Sequence, residues 1–351
     1  MSTRELPRPS GPHIVGSDIC EINDASRTSH ILSQERGRKI IIKFWYPANP
    51  SAVHDCEREQ LWEQLRTESN IPGFAKLVLR RAMKTETNSY RRAPYAANFR
   101  APRVLIYNHG LISFASENTM LMEHLASQGY TVVSLQHKEQ LAELQALKRK
   151  LPKQEKREQD LLQKQIQAAT CNERAELSRR YFEIASSANH IVSARTGDVE
   201  HVVKSLKTLL GSLSAFGDAR DPEILGALGL SLGGAVATEY SKQNNDISCA
   251  VNIDGGIYGE MLDVPITCPY LMLYSQQNCD SNGLSLTTNG NAWIRNETIP
   301  DTKHLNFHDV ASIYPILSLL KIVGKANPAD VLQRRNQLIS DFVSNVETAG
   351  T

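Results

Sequence analysis

Apolar residues occur along this chain in short continuous runs, separated by stretches in which apolar positions recur at helical spacing. Six runs rich in β-branched and aromatic residues predict strands, at residues 40–46, 104–107, 130–135, 224–230, 247–253 and 270–274. Continuous apolar runs suit strands that are buried on both faces, as in a parallel sheet covered by helices. Helical patterns lie between most of these runs, notably at 119–127, from 138 to about 210, and at 235–243. We therefore predict an α/β fold with a mostly parallel central sheet flanked by helices, in a single domain over residues 1–351.

Residues 57–84 interrupt this alternation and are predicted to form a helical segment of two short helices, split at residues 71–73. The second helix combines a narrow apolar face with four basic side chains. This helix has two interpretations. Its apolar face could make a transient contact with a membrane surface. The other, which we favour, is that its apolar side packs on the sheet and its charges face water.

Residues 138–190 are predicted to be a helical insertion within the domain. The part from 138 to 180 holds eleven basic and seven acidic residues, with no glycine and no aromatic residue. Leucines recur at helical spacing up to Pro152, which breaks the pattern before it resumes at Leu161. We favour a solvated charged excursion, with a lid over a substrate site or a protein-docking module as alternatives.

Composition and charge exclude several classes of protein. Of the 351 residues 41% are apolar and 22% charged, which is typical of a globular chain and not of a disordered one. The 39 basic and 38 acidic residues give a net charge of +1, so no basic field indicates a nucleic-acid partner. No run is long enough to span a membrane, and the first twenty residues lack a signal-peptide pattern. We expect a cytoplasmic protein, although unconventional export is compatible with the sequence. Nothing in it predicts the oligomeric state.

The six cysteines are scattered and show no zinc-binding spacing. We expect them to be buried thiols, and whether any of them pair is left open. No metal site is predicted.

The most specific chemical motif is Gly229-Leu230-Ser231-Leu232-Gly233, which matches the G-x-S-x-G nucleophile elbow. In that motif a strand turns sharply into a helix and exposes the serine hydroxyl above the sheet. The context fits, because the strand predicted at 224–230 precedes the motif and the helix predicted at 235–243 follows it. We predict Ser231 to be a nucleophile.

A serine nucleophile needs a base and an acid that orients the base, and in this fold they follow in the order serine, acid, histidine. Only His304 and His308 lie beyond Ser231, and we favour His304 because it sits in a loop-like stretch. Two aspartates follow predicted strands and are candidates for the acid. From the residues alone we favour Asp254 over Asp280, because a Gly-Gly pair would aim its carboxylate at the carboxyl edge of the sheet.

An oxyanion hole needs two backbone N–H donors aimed at the developing charge. One is expected from Leu232, the residue after the nucleophile. The other is expected from Leu111, in the loop after the strand at 104–107, where Gly110 permits close approach to a ligand. His109 precedes Ser231, does not fit the triad order, and is interpreted as a structural or rim residue.

Several motifs together resemble the platelet-activating factor acetylhydrolases of the secreted, type II class and the related bacterial dienelactone-hydrolase-like α/β-hydrolases. They are RKIIIKFWYPA at 38–48, HGL at 109–111, ARTGDV at 194–199, GLSLGG at 229–234, NIDGG at 252–256 and HLNFHD at 304–309. The resemblance spans about residues 14–345, nearly the whole chain. It implies an α/β-hydrolase fold.

Residue by residue, the resemblance implies that Ser231 is the nucleophile, Asp254 the acid and His304 the base. It places the oxyanion donors on Leu111 and Leu232. It also implies a serine esterase that needs no cofactor and acts on short-chain acyl esters, such as the sn-2 acyl group of platelet-activating-factor-like phospholipids. The alternatives are a general carboxylesterase or cutinase-like polyesterase, and a non-catalytic binding protein on a hydrolase scaffold.

The chain departs from the family pattern at two places. Leu230 stands where close relatives often carry histidine, and Gly255-Gly256 follows Asp254 where they tend to carry bulkier residues. These departures leave the acyl-chain and head-group preferences open.

Overall fold

The computed structural model describes residues 5–63, 82–96, 101–137, 141–216 and 221–350. Ten strands within these ranges form one sheet. They are β1 Val15–Thr28, β2 Arg36–Pro47, β3 Arg58–Gln60, β4 Glu86–Arg91, β5 Arg103–Asn108, β6 Thr131–Gln136, β7 Glu223–Leu230, β8 Cys249–Ile253, β9 Tyr270–Ser275 and β10 Ile294–Ile299. Their order across the sheet is β10-β9-β8-β7-β5-β6-β2-β1-β4-β3.

The sheet has a parallel half and a mixed half. The strands β5 to β10 pair only in parallel with one another, whereas β2 is antiparallel to both β1 and β6. Because parallel strands end at the same edge, the carboxyl ends of β5, β7, β8 and β9 lie side by side. That edge is where ligands bind in open α/β sheets.

Helices and short 3₁₀ turns complete the described ranges. The helices are α1 Thr119–Ser127, α2 Leu141–Lys150, α3 Lys153–Ala168, α4 Cys171–Ile184, α5 Ser186–Ser212, α6 Leu232–Gln243, α7 Val310–Ile313, α8 Ile316–Leu319 and α9 Pro328–Gly350. The 3₁₀ turns are Pro50–Asp55, Ala82–Lys84, Gln276–Asn278 and His304–Phe307. Apolar side chains of α5 and α6 pack on one face of the sheet, and those of α1 and α9 pack on the other. Among these helices none is both long and apolar enough to cross a membrane.

All six strands predicted from apolar runs are present, and the mostly parallel sheet is confirmed. The prediction missed β1, β3, β4 and β10. In strand β1 the first four residues are buried but include the polar Ser17 and Asp18, and most of the remaining residues are partly or fully exposed. Strand β10 is an edge strand whose central residues are polar, so neither strand has a continuous apolar run.

The helical prediction for residues 57–84 is wrong at its start. Residues 58–60 form β3, in which Arg58 pairs with Tyr90 and Gln60 with Glu86 of β4. The next residues, Leu61 and Trp62, are buried in a small apolar cluster, which holds this stretch against the body. The predicted break at 71–73 and most of the basic helix lie outside the described residues.

The charged segment after β6 is helical and divides near Pro152, between α2 and α3. Helix α3 is largely exposed, and Leu162 is its buried residue. Helix α4 instead packs on loops at the carboxyl edge of the sheet. There Nη1 of Arg174 donates to the Cys279 carbonyl at 3.3 Å, and the Phe182 ring lies 5.0 Å from that of Tyr258. This part of the segment is therefore folded over the body.

Candidate active site

Ser231 lies between β7 and α6 in a strained backbone conformation, with φ 57° and ψ −123°. Residues other than glycine rarely adopt a positive φ, and backbone strain of this kind is characteristic of a nucleophile elbow. The neighbouring positions have no space for a side chain. A Cβ on Gly229 would lie 2.1 Å from the Gly233 backbone, and one on Gly233 would lie 2.0 Å from the Asn108 carbonyl oxygen. The turn therefore needs glycine at both ends of the motif.

Asp254 and His304 form a hydrogen-bonded pair at the same edge. Nδ1 of His304 is 2.7 Å from Oδ2 of Asp254, and the Asp254 carboxylate is fully buried. The carboxylate also accepts the Ser275 N–H at 2.6 Å, the Ser275 hydroxyl at 2.9 Å and the Asn278 amide at 2.9 Å. These donors fix the acid, which in turn orients the imidazole.

The electrostatics of the pair favour a protonated His304. Burial lowers the pKa of His304, but the hydrogen bond and negative charge of Asp254 outweigh it, and Glu117 adds to them. The pKa of His304 is therefore raised above its ordinary value. Because Nδ1 is bonded to the carboxylate, Nε2 is the ring nitrogen left to accept a proton.

The alternative acid and base occupy different environments. Asp280 is exposed in the turn after β9, and it is Asp254 that contacts His304. His308 is buried between aromatic rings, and its ring centroid lies 6.1 Å from that of Trp62 and 6.2 Å from that of Phe114. Its burial, with the positive charge of Arg335, lowers the pKa of His308 to about 3. His308 is therefore neutral and packed in the core.

The expected oxyanion donors flank Ser231. Leu232 is the first residue of α6, where a backbone N–H has no partner within the helix. Leu111 follows Gly110, and a Cβ on Gly110 would lie 3.5 Å from Cβ of Ser231. The loop at residues 108–111 thus adjoins the elbow.

His109 is buried inside the protein. The interpretation of His109 as a rim residue is therefore wrong, and the structural interpretation fits its contacts. Its Nδ1 is 2.6 Å from the Gly110 carbonyl oxygen, and its Nε2 accepts the His137 N–H at 3.1 Å. Nη1 of Arg195 donates to the His109 carbonyl at 2.8 Å. These bonds fix the path of the loop.

A buried charged cluster supports this loop, and sequence reasoning did not identify it. Asp198 lies 2.9 Å from Nδ1 of His137 and accepts Nη2 of Arg38 at 2.8 Å. Burial raises the pKa of Asp198, but these partners outweigh it and hold the pKa well below its usual range. His137 Nε2 is in turn 3.1 Å from Oδ1 of Asn108, at the start of the loop. The sequence held one signal that could have indicated this cluster: Arg195 and Asp198 form a pair of opposite charges within the motif at 194–199.

Steric contacts explain why two glycines follow Asp254. A Cβ on Gly255 would lie 2.1 Å from the Ser231 carbonyl oxygen, and one on Gly256 would lie 2.7 Å from the Phe182 ring of α4. The second contact explains why a bulkier residue does not fit beside this charged segment.

The described residues contain no group of three or more His, Cys, Asp or Glu side chains that could hold a metal ion. Five cysteines are free thiols: Cys20, Cys56, Cys249, Cys268 and Cys279. Burial raises the pKa of Cys249 and Cys268 well above the usual range, so these two are poor nucleophiles.

Comparisons with known proteins agree with this architecture. A ferulic acid esterase from Streptomyces cinnamoneus superposes with a TM-score of 0.67 at 18% identity, over 98% of this chain and 93% of the esterase. That likeness concerns the fold and confirms the predicted α/β-hydrolase class. A Schizosaccharomyces pombe protein described as "Putative phospholipase A2" is 26% identical over 152 residues. The match covers 40% of this chain and only 34% of that protein.

The family model for platelet-activating factor acetylhydrolase, isoform II, matches residues 1–348. The resemblance inferred from the motifs is thereby confirmed over nearly the whole chain. The protein belongs to the platelet-activating factor acetylhydrolase isoform II family.

Proposed function

We propose that this protein is a serine-dependent carboxylic ester hydrolase with Ser231, His304 and Asp254 as its catalytic residues. The observation that carries the proposal is the Asp254–His304 hydrogen bond of 2.7 Å, at the sheet edge where the strained elbow presents Ser231. A hydroxyl, an imidazole and a buried carboxylate are the groups that acyl transfer requires.

In the proposed reaction, Nε2 of His304 takes the proton of the Ser231 hydroxyl as Oγ attacks the ester carbonyl carbon. The N–H groups of Leu111 and Leu232 stabilise the oxyanion of the tetrahedral intermediate. The intermediate collapses when the alcohol leaves with the proton from His304. Water, deprotonated by His304, then attacks the acyl-serine, and the carboxylic acid leaves as Ser231 regains its proton. Asp254 stabilises the imidazolium in both halves.

We propose short-chain acyl esters as substrates, in particular the sn-2 acyl group of platelet-activating-factor-like phospholipids. Family membership supports this choice. Exposed apolar side chains on two stretches that are linked to the proposed catalytic loops also support it. We call them the rim residues: Leu111, Ile112, Ile316, Leu319, Leu320 and Ile322. Exposed apolar side chains of this kind favour contact with lipid.

The rim residues are tied to the site by specific contacts. Leu111 and Ile112 follow Gly110, which adjoins Ser231. The stretch that holds the other four is bound to the base loop, because Lys303 Nζ donates to the Lys321 carbonyl at 2.7 Å and the Gly324 N–H donates to Asn306 Oδ1 at 2.7 Å. A transient contact of this rim with a membrane surface is part of the proposal.

A panel of esters tests the substrate. Wild-type and Ser231→Ala proteins are compared on phospholipids with sn-2 chains of increasing length, on soluble aryl esters and on a polyester. We expect Ser231-dependent release of short sn-2 chains, with rates that fall as the chain lengthens. Hydrolysis of aryl esters or polyester without phospholipid hydrolysis would instead indicate a general carboxylesterase or cutinase-like polyesterase. No Ser231-dependent hydrolysis of any ester would indicate a binding protein on a hydrolase scaffold.

A further inference from the structure

Glu117 is a carboxyl buried directly beneath the loop at residues 108–111. It is 1% exposed and lies just before helix α1. Its Oε1 accepts the N–H of Gly110 at 2.9 Å and the hydroxyl of Tyr107 at 2.8 Å. Because Gly110 precedes Leu111, the first bond constrains the orientation of the peptide that leads to the expected oxyanion donor.

Glu117 also lies close to the proposed nucleophile. A Cβ built on Gly110 would be 3.5 Å from Oε2 of Glu117 and equally 3.5 Å from Cβ of Ser231. Gly110 is therefore in contact range of both side chains. A shift of the carboxyl would move the loop relative to Ser231.

The same contacts continue to the turn that carries His304. The Tyr107 hydroxyl accepts the Asn118 amide at 2.9 Å, and Asn118 Oδ1 accepts Nη1 of Arg335 at 2.9 Å. Nη1 of Arg335, on α9, also donates to the carbonyl of Phe307, the last residue of the His304–Phe307 turn. One continuous buried network thus joins the oxyanion loop to the base.

We propose that Glu117 is a positioning residue for ester hydrolysis: its carboxyl holds the loop at 108–111 so that the Leu111 amide points at the developing oxyanion. This inference deepens the proposed function and rests on it. Donors that are fixed before the reaction stabilise the oxyanion without reorganisation, and they depend on the groups that hold them.

The charge of Glu117 gives this role a measurable signature. Six titratable or polar side chains face the carboxyl or act on it: Tyr107, Ser113, Arg195, His304, His308 and Arg335. Burial raises the pKa of Glu117 to about 7, although hydrogen bonds and Arg195 oppose the shift. Its negative charge helps to raise the pKa of His304. Removing that charge should therefore lower the pKa of His304.

Glu123 supplies a matched control on α1. It is also 1% exposed, and burial also raises its pKa to about 7. Its carboxyl accepts the N–H of Asn88 at 2.7 Å and the Ser89 hydroxyl at 2.6 Å, both on β4. Substituting it removes a buried carboxyl of the same kind that makes no such bond to the loop.

The test compares Glu117→Leu and Glu117→Gln with Glu123→Leu and Glu123→Gln, by kcat, KM, pH profile and melting temperature on one soluble ester. Glu117→Leu leaves the Gly110 N–H without its acceptor, and we expect kcat to fall about 10²-fold with KM changed little. Glu117→Gln keeps an acceptor oxygen, so kcat should stay within about tenfold of wild type. The acidic limb of the pH profile of Glu117→Gln should move to lower pH, because the pKa of His304 falls. The Glu123 variants should lose melting temperature and keep kcat.

Wild-type kcat in folded Glu117→Leu would overturn the inference, as would an equal loss of kcat in Glu117→Gln. If Glu117→Leu does not fold, Tyr107→Phe removes one donor to the carboxyl, and unchanged kcat in that variant would overturn the inference as well. The proposed function fails separately, when wild-type protein shows no Ser231-dependent hydrolysis. Active wild type, inactive Ser231→Ala and normal Glu117 variants would reject the role of Glu117 alone.

Discussion

Ser231 and Asp254 leave neighbouring parallel strands with similar positive φ angles, of 57° and 54°. Each still donates its N–H to the next strand. Ser231 bonds to the Ile253 carbonyl at 2.8 Å, and Asp254 bonds to the Leu273 carbonyl at 2.7 Å. The strain is therefore held by the sheet itself, and both side chains emerge at one edge. This arrangement makes the elbow and the acid loop sensitive to substitution.

The elbow predicts a contrast between two glycine substitutions. Gly233→Ala would place its Cβ 2.0 Å from the Asn108 carbonyl oxygen, and we expect it to lower the free energy of unfolding by roughly 3 kcal/mol and to abolish activity. Gly211→Ala is the control, because nothing lies within 4 Å of its Cβ near the end of α5. Alanine there should be neutral or stabilise by up to about 1 kcal/mol. Urea denaturation measures both, and a Gly233→Ala protein as stable as wild type would contradict the steric account.

The acid is tested by two matched aspartate substitutions. Asp254→Asn removes the charge that orients and stabilises the His304 imidazolium, and we expect kcat to fall about 10⁴-fold on a soluble short-chain ester. Asp280→Asn alters an exposed turn residue and should leave kcat within a few-fold of wild type. Steady-state kinetics with both variants decide the assignment. A loss confined to Asp280→Asn would reject Asp254 as the acid.

The raised pKa of His304 predicts the acidic limb of the pH profile. His304 acts as a base only when neutral, so kcat/KM should fall as the pH drops through its pKa. Asp254, with Glu117, raises that pKa above the ordinary 6.5, so the fall should begin above the pH expected for a free imidazole. Measuring kcat/KM against pH on a non-ionising ester checks this. A midpoint below 6.5 would contradict the electrostatics described for the pair.

The rim residues predict a difference between dispersed and membrane-bound substrate. Leu319 and Leu320 are 77% and 61% exposed, so Leu319→Ser with Leu320→Ser should cost little stability. We expect this double variant to lose several-fold activity on phospholipid vesicles and to keep its activity on a soluble aryl ester. Equal activity of the double variant and wild type on vesicles would remove the rim from the proposed lipid contact.

Apolar runs predicted the central strands because those strands are buried on both faces. The G-x-S-x-G motif likewise located the elbow, because a Cβ on Gly229 would meet the backbone of Gly233 within the motif itself. The contact that requires Gly233 is with Asn108 on β5, which the sequence does not show. The acid was less determined. Asp254 and Asp280 both follow strands. The Gly-Gly pair and the family resemblance favoured Asp254, and in the structure it is Asp254 that contacts His304.

The buried polar network could not be predicted from the sequence. Arg335 and Asn118 are 217 positions apart, and neither sits in a recognisable motif. Glu117 resembles any acidic residue before a helix, and its importance comes from bonds to Tyr107 and Gly110 that exist only after folding. Strand β1 was not predicted for a local reason: polar residues occupy both its buried and its exposed positions, so it has no continuous apolar run.

The most direct measurement of the central claim is covalent labelling with a fluorophosphonate probe, followed by mass-spectrometric mapping of the modified residue. The probe phosphonylates a serine that an adjacent base activates. We expect one modified site, Ser231, in wild-type protein, with labelling that falls as His304 becomes protonated. Ser231→Ala should show no labelling while keeping the wild-type melting temperature. Labelling that persists in Ser231→Ala, or that maps to another serine, would contradict the account.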